Sequence, residues 1–390
     1  YREVNVRKCT QYQIRKNGKK DVIDYVVGGE PMRKQRGNEK DIIKGMKMWY
    51  ENLGLGKYAK FDNKGAVGIP YVLFKAKNVV DFDTRKEKWK KCRPIAPSTK
   101  HPMSRLMKKV GKGWYFISKH GFGKEKHFTI PEVKDVPVLL KEIEHITEGK
   151  GKGCTIHTYD IEKCFPNMNK GAIEIAMLEM IQEHKENGRN GVFVPYSKTG
   201  KVTWDIPRRK NIGTWLPWDV LWEMMNFALH HAYVKLYDGE ILEQMEGIPM
   251  GMEMAPAMTV GTCAWMEKEW MNTLSEKDRA HIEGIRYMDD TLIGTPSVGA
   301  EGLIRYLEKE MYWDPMKLIK TEDKIFLETE YDDTGNDGIR CWLKDSNGNK
   351  NRKIWRYHHY DSGLPFYMKK AGIMMCLKKV HHMANDDQAR

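Results

Sequence analysis

Apolar residues recur along this chain at two spacings. Ile42, Ile43, Met46 and Trp49 repeat every three to four positions, which predicts a helix over 41–53. The same spacing predicts helices near Ser104–Val110, over 131–147, over 217–236, from Ala257 to about Leu274 behind Pro256, and from Ala300 to Met311. Another runs from Lys170 to His184, with Ile173, Met177, Met180 and Ile181 along one face. Short β-prone runs predict strands over 66–76, Thr155–Tyr159, Met316–Thr321 and Lys324–Glu328. A two-stranded unit is expected over Tyr233–Gln244 around Asp238-Gly239, and a hairpin insert over 187–212. Residues 1–40, broken by Gly28-Gly29 and Pro31, read as an extension with little regular structure. Residues 331–352 read as polar and turn-rich, and 364–383 as a basic helix. This mixture predicts the α+β class, and 390 residues imply two or three subdomains.

One stretch stands apart. Ile285-Arg286-Tyr287-Met288-Asp289-Asp290-Thr291-Leu292-Ile293 sets two adjacent carboxylates between short apolar runs, which reads as two buried strands joined by a tight turn. Earlier, the strand ending at Tyr159 runs into Asp160, about ten residues before the next apolar helical stripe, too far for a helix cap. If these strands are neighbours, three carboxylates converge. Hard divalent cations take carboxylate oxygens, and such an arrangement serves two-metal nucleotidyl transfer.

Charge sharpens this picture. The net charge is +13, but residues 1–100 hold 25 Lys and Arg against 11 Asp and Glu, so the excess lies in the first quarter. A basic lobe favours a polyanion, most simply nucleic acid. Trp49, Tyr50, Tyr71, Phe74 and Trp89 lie among these charges, which a merely solubilising tail rarely carries. Lys91 and Arg93 precede Pro94 and Pro97, which force an extended arm suited to clamping a triphosphate. Gly247 and Gly251 allow the backbone between them to approach another molecule closely. The seven cysteines form no CxxC pair and their number is odd, so reduced thiols in an intracellular setting are expected. No apolar run is long enough to span a membrane.

The order of these segments resembles the palm of a reverse transcriptase. Tyr-Asp-Ile-Glu-Lys-Cys-Phe at 159–165 is similar to the first catalytic motif, and Tyr-Met-Asp-Asp at 287–290 to the second. Gly-Ile-Pro-Met-Gly-(x)₃-Ala-Pro at 247–256 resembles the template-and-nucleotide motif, and Arg-Pro-Ile at 93–95 the finger motif. Leu318–Thr321 resembles the motif carrying a lysine near the leaving group, and Phe326-Leu327-Glu328 the hydrophobic run after it. The resemblance covers roughly 85–330. Gln244, the 247–256 motif with Met250 where retroviral enzymes usually have Gln, and Glu267 are most similar to Penelope-like retroelements, which are akin to telomerase. The GIY-YIG endonuclease that such elements often carry is not found in this chain.

The resemblance implies a right-hand polymerase: fingers over 41–150, a palm with an antiparallel sheet over 151–330 holding the insert 187–212, and a small helical thumb within 331–390, after the basic extension 1–40. It implies that Asp160, Asp289 and the backbone carbonyl of Ile161 hold two Mg²⁺ ions, or Mn²⁺ in their place, with Asp290 an accessory ligand or orienter. Arg93 and Lys91 would bind the triphosphate, and Pro249, Met250, Gly251 and Tyr287 would line the nucleotide site. Phe165 would sit against the sugar and exclude a 2′-hydroxyl. Lys320, with Lys324 as its rival, would give a proton to pyrophosphate. The activity implied is RNA-directed DNA polymerisation on an RNA template with a DNA or RNA primer and dNTPs, away from membranes, in the nucleus rather than an organelle. Two other readings stay open. One is an RNA-dependent RNA polymerase, whose middle motif usually has Ser-Gly and a later Thr and Asn absent here. The other is a retroelement-derived subunit with an RNA-binding or structural role in a ribonucleoprotein.

Overall fold

The computed structural model describes residues 7–14, 20–27, 32–35, 37–74, 92–122, 127–130, 132, 136, 139–143, 153–197, 199–207, 212–321, 324–327, 329–332, 340–343 and 374. The chain forms two compact units, each discontinuous in sequence. The first comprises Tyr1–Gly123, Lys163–Trp265 and Trp313–Met316; the second comprises Lys124–Glu162, Met266–Tyr312 and Lys317–Arg390.

The first unit corrects the expectation for its opening residues. Strands β1 (Arg7–Ile14) and β2 (Lys20–Val27) form an antiparallel hairpin. The signal was Asn17-Gly18 between two runs rich in Val, Ile, Thr and Tyr, which outweighs the basic charge. Strand β3 (Met32–Lys34) then joins a sheet through β10 (Ile241–Gln244), which also pairs with β9 (Tyr233–Lys235). Arg33 and Gln35 both donate to the buried Glu243 carboxylate, each at 2.5 Å, so the basic segment is tied down rather than free. Helix α1 (Glu39–Asn52) is capped by the Asn38 side chain and buries Met46 and Tyr50. Strands β4 (Tyr71–Phe74) and β5 (Cys92–Ile95) pair with each other, so the expected extended arm is a strand.

Helix α2 (Ser104–His120) is longer than its sequence signal, because Trp114 and Ile117 extend the buried stripe by two turns. Trp114 is fully buried and donates to the Leu221 carbonyl of α4 (Trp218–His230) at 3.0 Å. Helix α4 stops short of the expected end at 236. Tyr233-Val234-Lys235 instead takes the β9 pairing offered by the turn at Gly239, whose φ is 91°. Helix α3 (Lys170–Glu186) is capped by Asn169, and the expected insert contributes β7 (Gly191–Pro195), paired with β8 (Gly213–Pro217). Helix α5 (Ala255–Thr273) matches its predicted span.

The second unit is built on an antiparallel sheet of order β11-β12-β6-β13, from β6 (Cys154–Ile161), β11 (Glu283–Tyr287), β12 (Asp290–Pro296) and β13 (Leu318–Lys320). Ile156, Ile285 and Leu292 share a core with Val136, Leu140, Ile143, Phe326 and Tyr331. Helix α6 (Glu301–Glu310) contributes Glu308, which accepts from the Tyr159 hydroxyl at 2.9 Å. A second sheet holds β14 (Ile325–Phe326), within the expected Lys324–Glu328 strand, with β15 (Thr329–Asp332) and β16 (Arg340–Leu343), which extend into the stretch read as turn-rich. Tyr331 and Phe326 explain the difference, since both are buried and anchor the pairing. The expected basic helix at 364–383 lies outside the described residues apart from Met374.

In the first unit, His184 is buried against Trp204 and Trp218, with ring centroids at 4.6 and 6.2 Å. Burial, assisted by His120 and Arg189, holds its imidazole down to about 4 from the ordinary 6.5. A depressed imidazole is neutral when folded, so its contribution is full above about pH 6.5 and drains as pH falls towards about 4. Denaturant midpoints should therefore drop between pH 7.5 and pH 5, and His184→Phe should drop less over the same interval. An equal drop for both proteins would contradict this account of His184.

Candidate active site

Strand register sets two of the acidic residues opposite each other. In the β6–β12 ladder Asp160 lies directly opposite Asp290, and in the β11–β12 ladder Tyr287 lies opposite Asp290. Directly opposed residues of an antiparallel pair point to one face, with Cα atoms roughly 4.5–5.5 Å apart. Met288 and Asp289 form the two-residue turn between β11 and β12, and Met288 has φ 61°. The Asp289 carbonyl accepts from the Ile161 N–H at 3.1 Å, which ties the turn to the residue after Asp160. Asp160 is exposed, and Asp289 and Asp290 are half-buried, so a ligand can reach all three. Residues 129 positions apart in the chain are thus brought to one edge of one sheet. Among the described residues no group of three or more His, Cys, Asp or Glu side chains stands ready to hold a metal ion. The three carboxylates are therefore neighbours on the backbone without forming a closed cage. Their donor chemistry, hard and anionic oxygen, suits Mg²⁺.

The register treats Lys320 differently. It lies opposite Tyr159, while Ile319 lies opposite Asp160. Side chains alternate faces along a strand, so Lys320 is on the face away from Asp160. Lys320, expected to give a proton to pyrophosphate, thus starts from the face opposite the Asp160 side chain. The Tyr159 hydroxyl on that other face is held in its neutral form by burial and by Glu308.

Apart from Tyr287, which is in the second unit, the described stretches expected to bind nucleotide lie in the first unit. The Ala96 N–H, one residue beyond β5, donates to the Met250 carbonyl at 2.7 Å. Ser98 Oγ donates to the Gly251 carbonyl at 2.9 Å. The Ile248 N–H donates to the Phe165 carbonyl at 2.8 Å. The segment just after β5, the Ile248–Gly251 loop and Phe165 are therefore linked by hydrogen bonds to main-chain carbonyls. Lys91 lies outside the described residues. Gly251 has φ 106°, and a Cβ there would meet the Ala96 carbonyl oxygen at 2.7 Å. Gly247, with φ 69°, packs as closely on the Phe165–Pro166 backbone. Both glycines are required by close backbone approach.

One feature escaped the sequence reading. Arg286, inside the signature stretch, is fully buried and paired with Glu267. In sequence the two look like ordinary helix and strand charges. The only sign was a cation set between apolar residues on a strand read as buried.

No family model matches this chain, and no curated protein matches it. Among solved structures it is similar to telomerase from Candida albicans in complex with a fragment of telomeric RNA, at 12% identity and TM-score 0.47, covering 88% of this chain and 47% of that one. It is similar to telomerase from Candida tropicalis in complex with the same type of fragment, at 12% identity and TM-score 0.47, covering 86% and 53%. It is also similar to the RNA-dependent RNA polymerase of bacteriophage phi12, at 12% identity and TM-score 0.32, covering 55% and 33%. The chain spans about half the length of the telomerase chains it matches. Among the described residues no helix is long and apolar enough to cross a membrane.

Gly251→Ala should lose about 1–3 kcal/mol of stability, from positive φ and the collision with Ala96. Gly302→Ala, in α6 with open space around it, should gain about 0.5–1 kcal/mol. Chemical denaturation of both variants checks the pair. A Gly251→Ala protein as stable as the parent would contradict the close approach.

Proposed function

We propose that this chain is an RNA-directed DNA polymerase that extends a primer by two-metal nucleotidyl transfer. The observation that supports this most is the pairing of Asp160 with Asp290 at the Met288–Asp289 turn. Strand pairing sets acidic residues from two remote segments directly opposite each other at one end of the ladder, which concentrates anionic oxygen where a hard cation would bind.

In the proposed reaction the primer 3′-hydroxyl gives its proton to solvent, its oxygen bonds to the α-phosphorus of a dNTP, and the bond from that phosphorus to the pyrophosphate oxygen breaks. Asp160, Asp289 and the Ile161 carbonyl would hold the ions, with Asp290 orienting them. Bound Mg²⁺ would lower the barrier by favouring the primer alkoxide and screening the leaving charge. Arg93 would clamp the triphosphate with its planar fork. The Gly247–Gly251 loop would seat the base, since its backbone bears no Cβ at the points of closest approach. Phe165 would lie against the sugar and leave no room for a 2′-hydroxyl, which makes the nucleotide a dNTP. The basic first hundred residues suit a nucleic-acid template. Gln244, Met250 and Glu267 support a place beside Penelope-like elements within the reverse transcriptases.

Primer extension on an RNA template with Mg²⁺ tests this. The parent protein should incorporate dNTPs, and Asp289→Asn should be slower by about a hundredfold or more. Equal rates, or no incorporation by the parent, would contradict the polymerase reading. The parent should also prefer dNTPs to rNTPs, and Phe165→Val should narrow that preference. Equal use of both by the parent would favour an RNA polymerase instead.

A further inference from the structure

Glu267 on α5 and Arg286 on β11 are both fully buried. The Glu267 carboxylate accepts from Arg286 Nε, from the Tyr312 hydroxyl at 2.7 Å and from the Phe128 N–H at 2.9 Å. Arg286 Nη2 donates to Thr129 Oγ1, and Nη1 donates to the Met288 carbonyl at 2.9 Å. The backbone of Arg286 is held as well: its N–H donates to the Phe128 carbonyl at 2.5 Å, and its carbonyl accepts from the Ile130 N–H at 3.0 Å. Arg286 pairs with Thr291, so alternation sets its side chain on the face opposite Tyr287 and Asp290.

Stability alone does not account for this choice of residues. Apolar pairs of similar volume often replace a buried ion pair without loss. An apolar pair cannot donate to Met288, and Met288 needs holding. Its φ of 61° is one that side-chain-bearing residues keep only where their surroundings over-determine it. The Met288 carbonyl belongs to the peptide plane that leads into Asp289. The next plane, carrying the Asp289 carbonyl, is fixed by the Ile161 N–H at 3.1 Å. Both peptide planes flanking Asp289 are thus pinned, one from each side of the turn.

We propose that Arg286, held rigid by Glu267, is a positioning residue that fixes the turn and so aims the Asp289 carboxylate. This rests on the reading of Asp289 as a metal ligand. A lysine at 286 could keep a charge contact with Glu267 but has no planar fork to span Glu267, Thr129 and Met288 together.

Mn²⁺ binding to the whole chain without nucleic acid, followed by the electron paramagnetic resonance of free Mn²⁺, tests it independently of turnover. Arg286→Lys should bind Mn²⁺ about 10–100-fold more weakly than the parent, with an unchanged circular dichroism spectrum. In primer extension the same variant should lose kcat by about 10–100-fold while KM for dNTP stays within about threefold. Parent-like Mn²⁺ affinity in a folded Arg286→Lys protein would overturn the proposal, whatever its Tm. Should Arg286→Lys fail to fold, Thr129→Val removes one bond from the guanidinium and should weaken Mn²⁺ by about threefold; no weakening would overturn the proposal. A parent protein that binds Mn²⁺ no better than Asp289→Asn would remove the metal reading itself, and this proposal with it.

Discussion

The register between β6 and β12 is the constraint on which the second unit depends. One alignment sends Ile156 and Leu292 into the core and sets Asp160 opposite Asp290 at the ladder's end. A slip of one residue would turn every side chain of a strand to the other face. It would expose the core residues and separate the carboxylates together. Core packing and the juxtaposition of the acidic residues therefore share one determinant. The turn that closes the ladder is shaped by Met288 in a left-handed conformation rather than by a glycine.

The first unit solves a different problem. Its geometry comes from close approach to main-chain atoms: the Ala96 N–H to Met250, the Ser98 hydroxyl to Gly251, the Ile248 N–H to Phe165. Side chains at Gly247 and Gly251 would prevent this. Segments distant in sequence approach closely here because two positions lack a Cβ. The carboxylates and the close-packed loop thus lie in separately packed units.

Much of this was legible from local pattern. The hairpin around Met288–Asp289, the strand into Asp160 and helices α1, α3, α5 and α6 follow from apolar periodicity and turn residues. The two-stranded unit over Tyr233–Gln244 was legible too, and it sets the end of helix α4. The β1–β2 hairpin was hidden by its basic charge, although Asn17-Gly18 between β-prone runs signals it. What was not legible depends on distant partners. The face on which Lys320 sits follows from a register that no window around Lys320 contains. Glu267 and Arg286 look like surface charges until burial shows that each is the other's solvent.

The most direct test of the central claim is diffraction from Mn²⁺-soaked crystals of this chain, read by anomalous scattering. The account expects a Mn²⁺ peak whose coordination sphere includes oxygens of both Asp160 and Asp289. A well-occupied Mn²⁺ bound elsewhere, with these two carboxylates in separate environments, would contradict it.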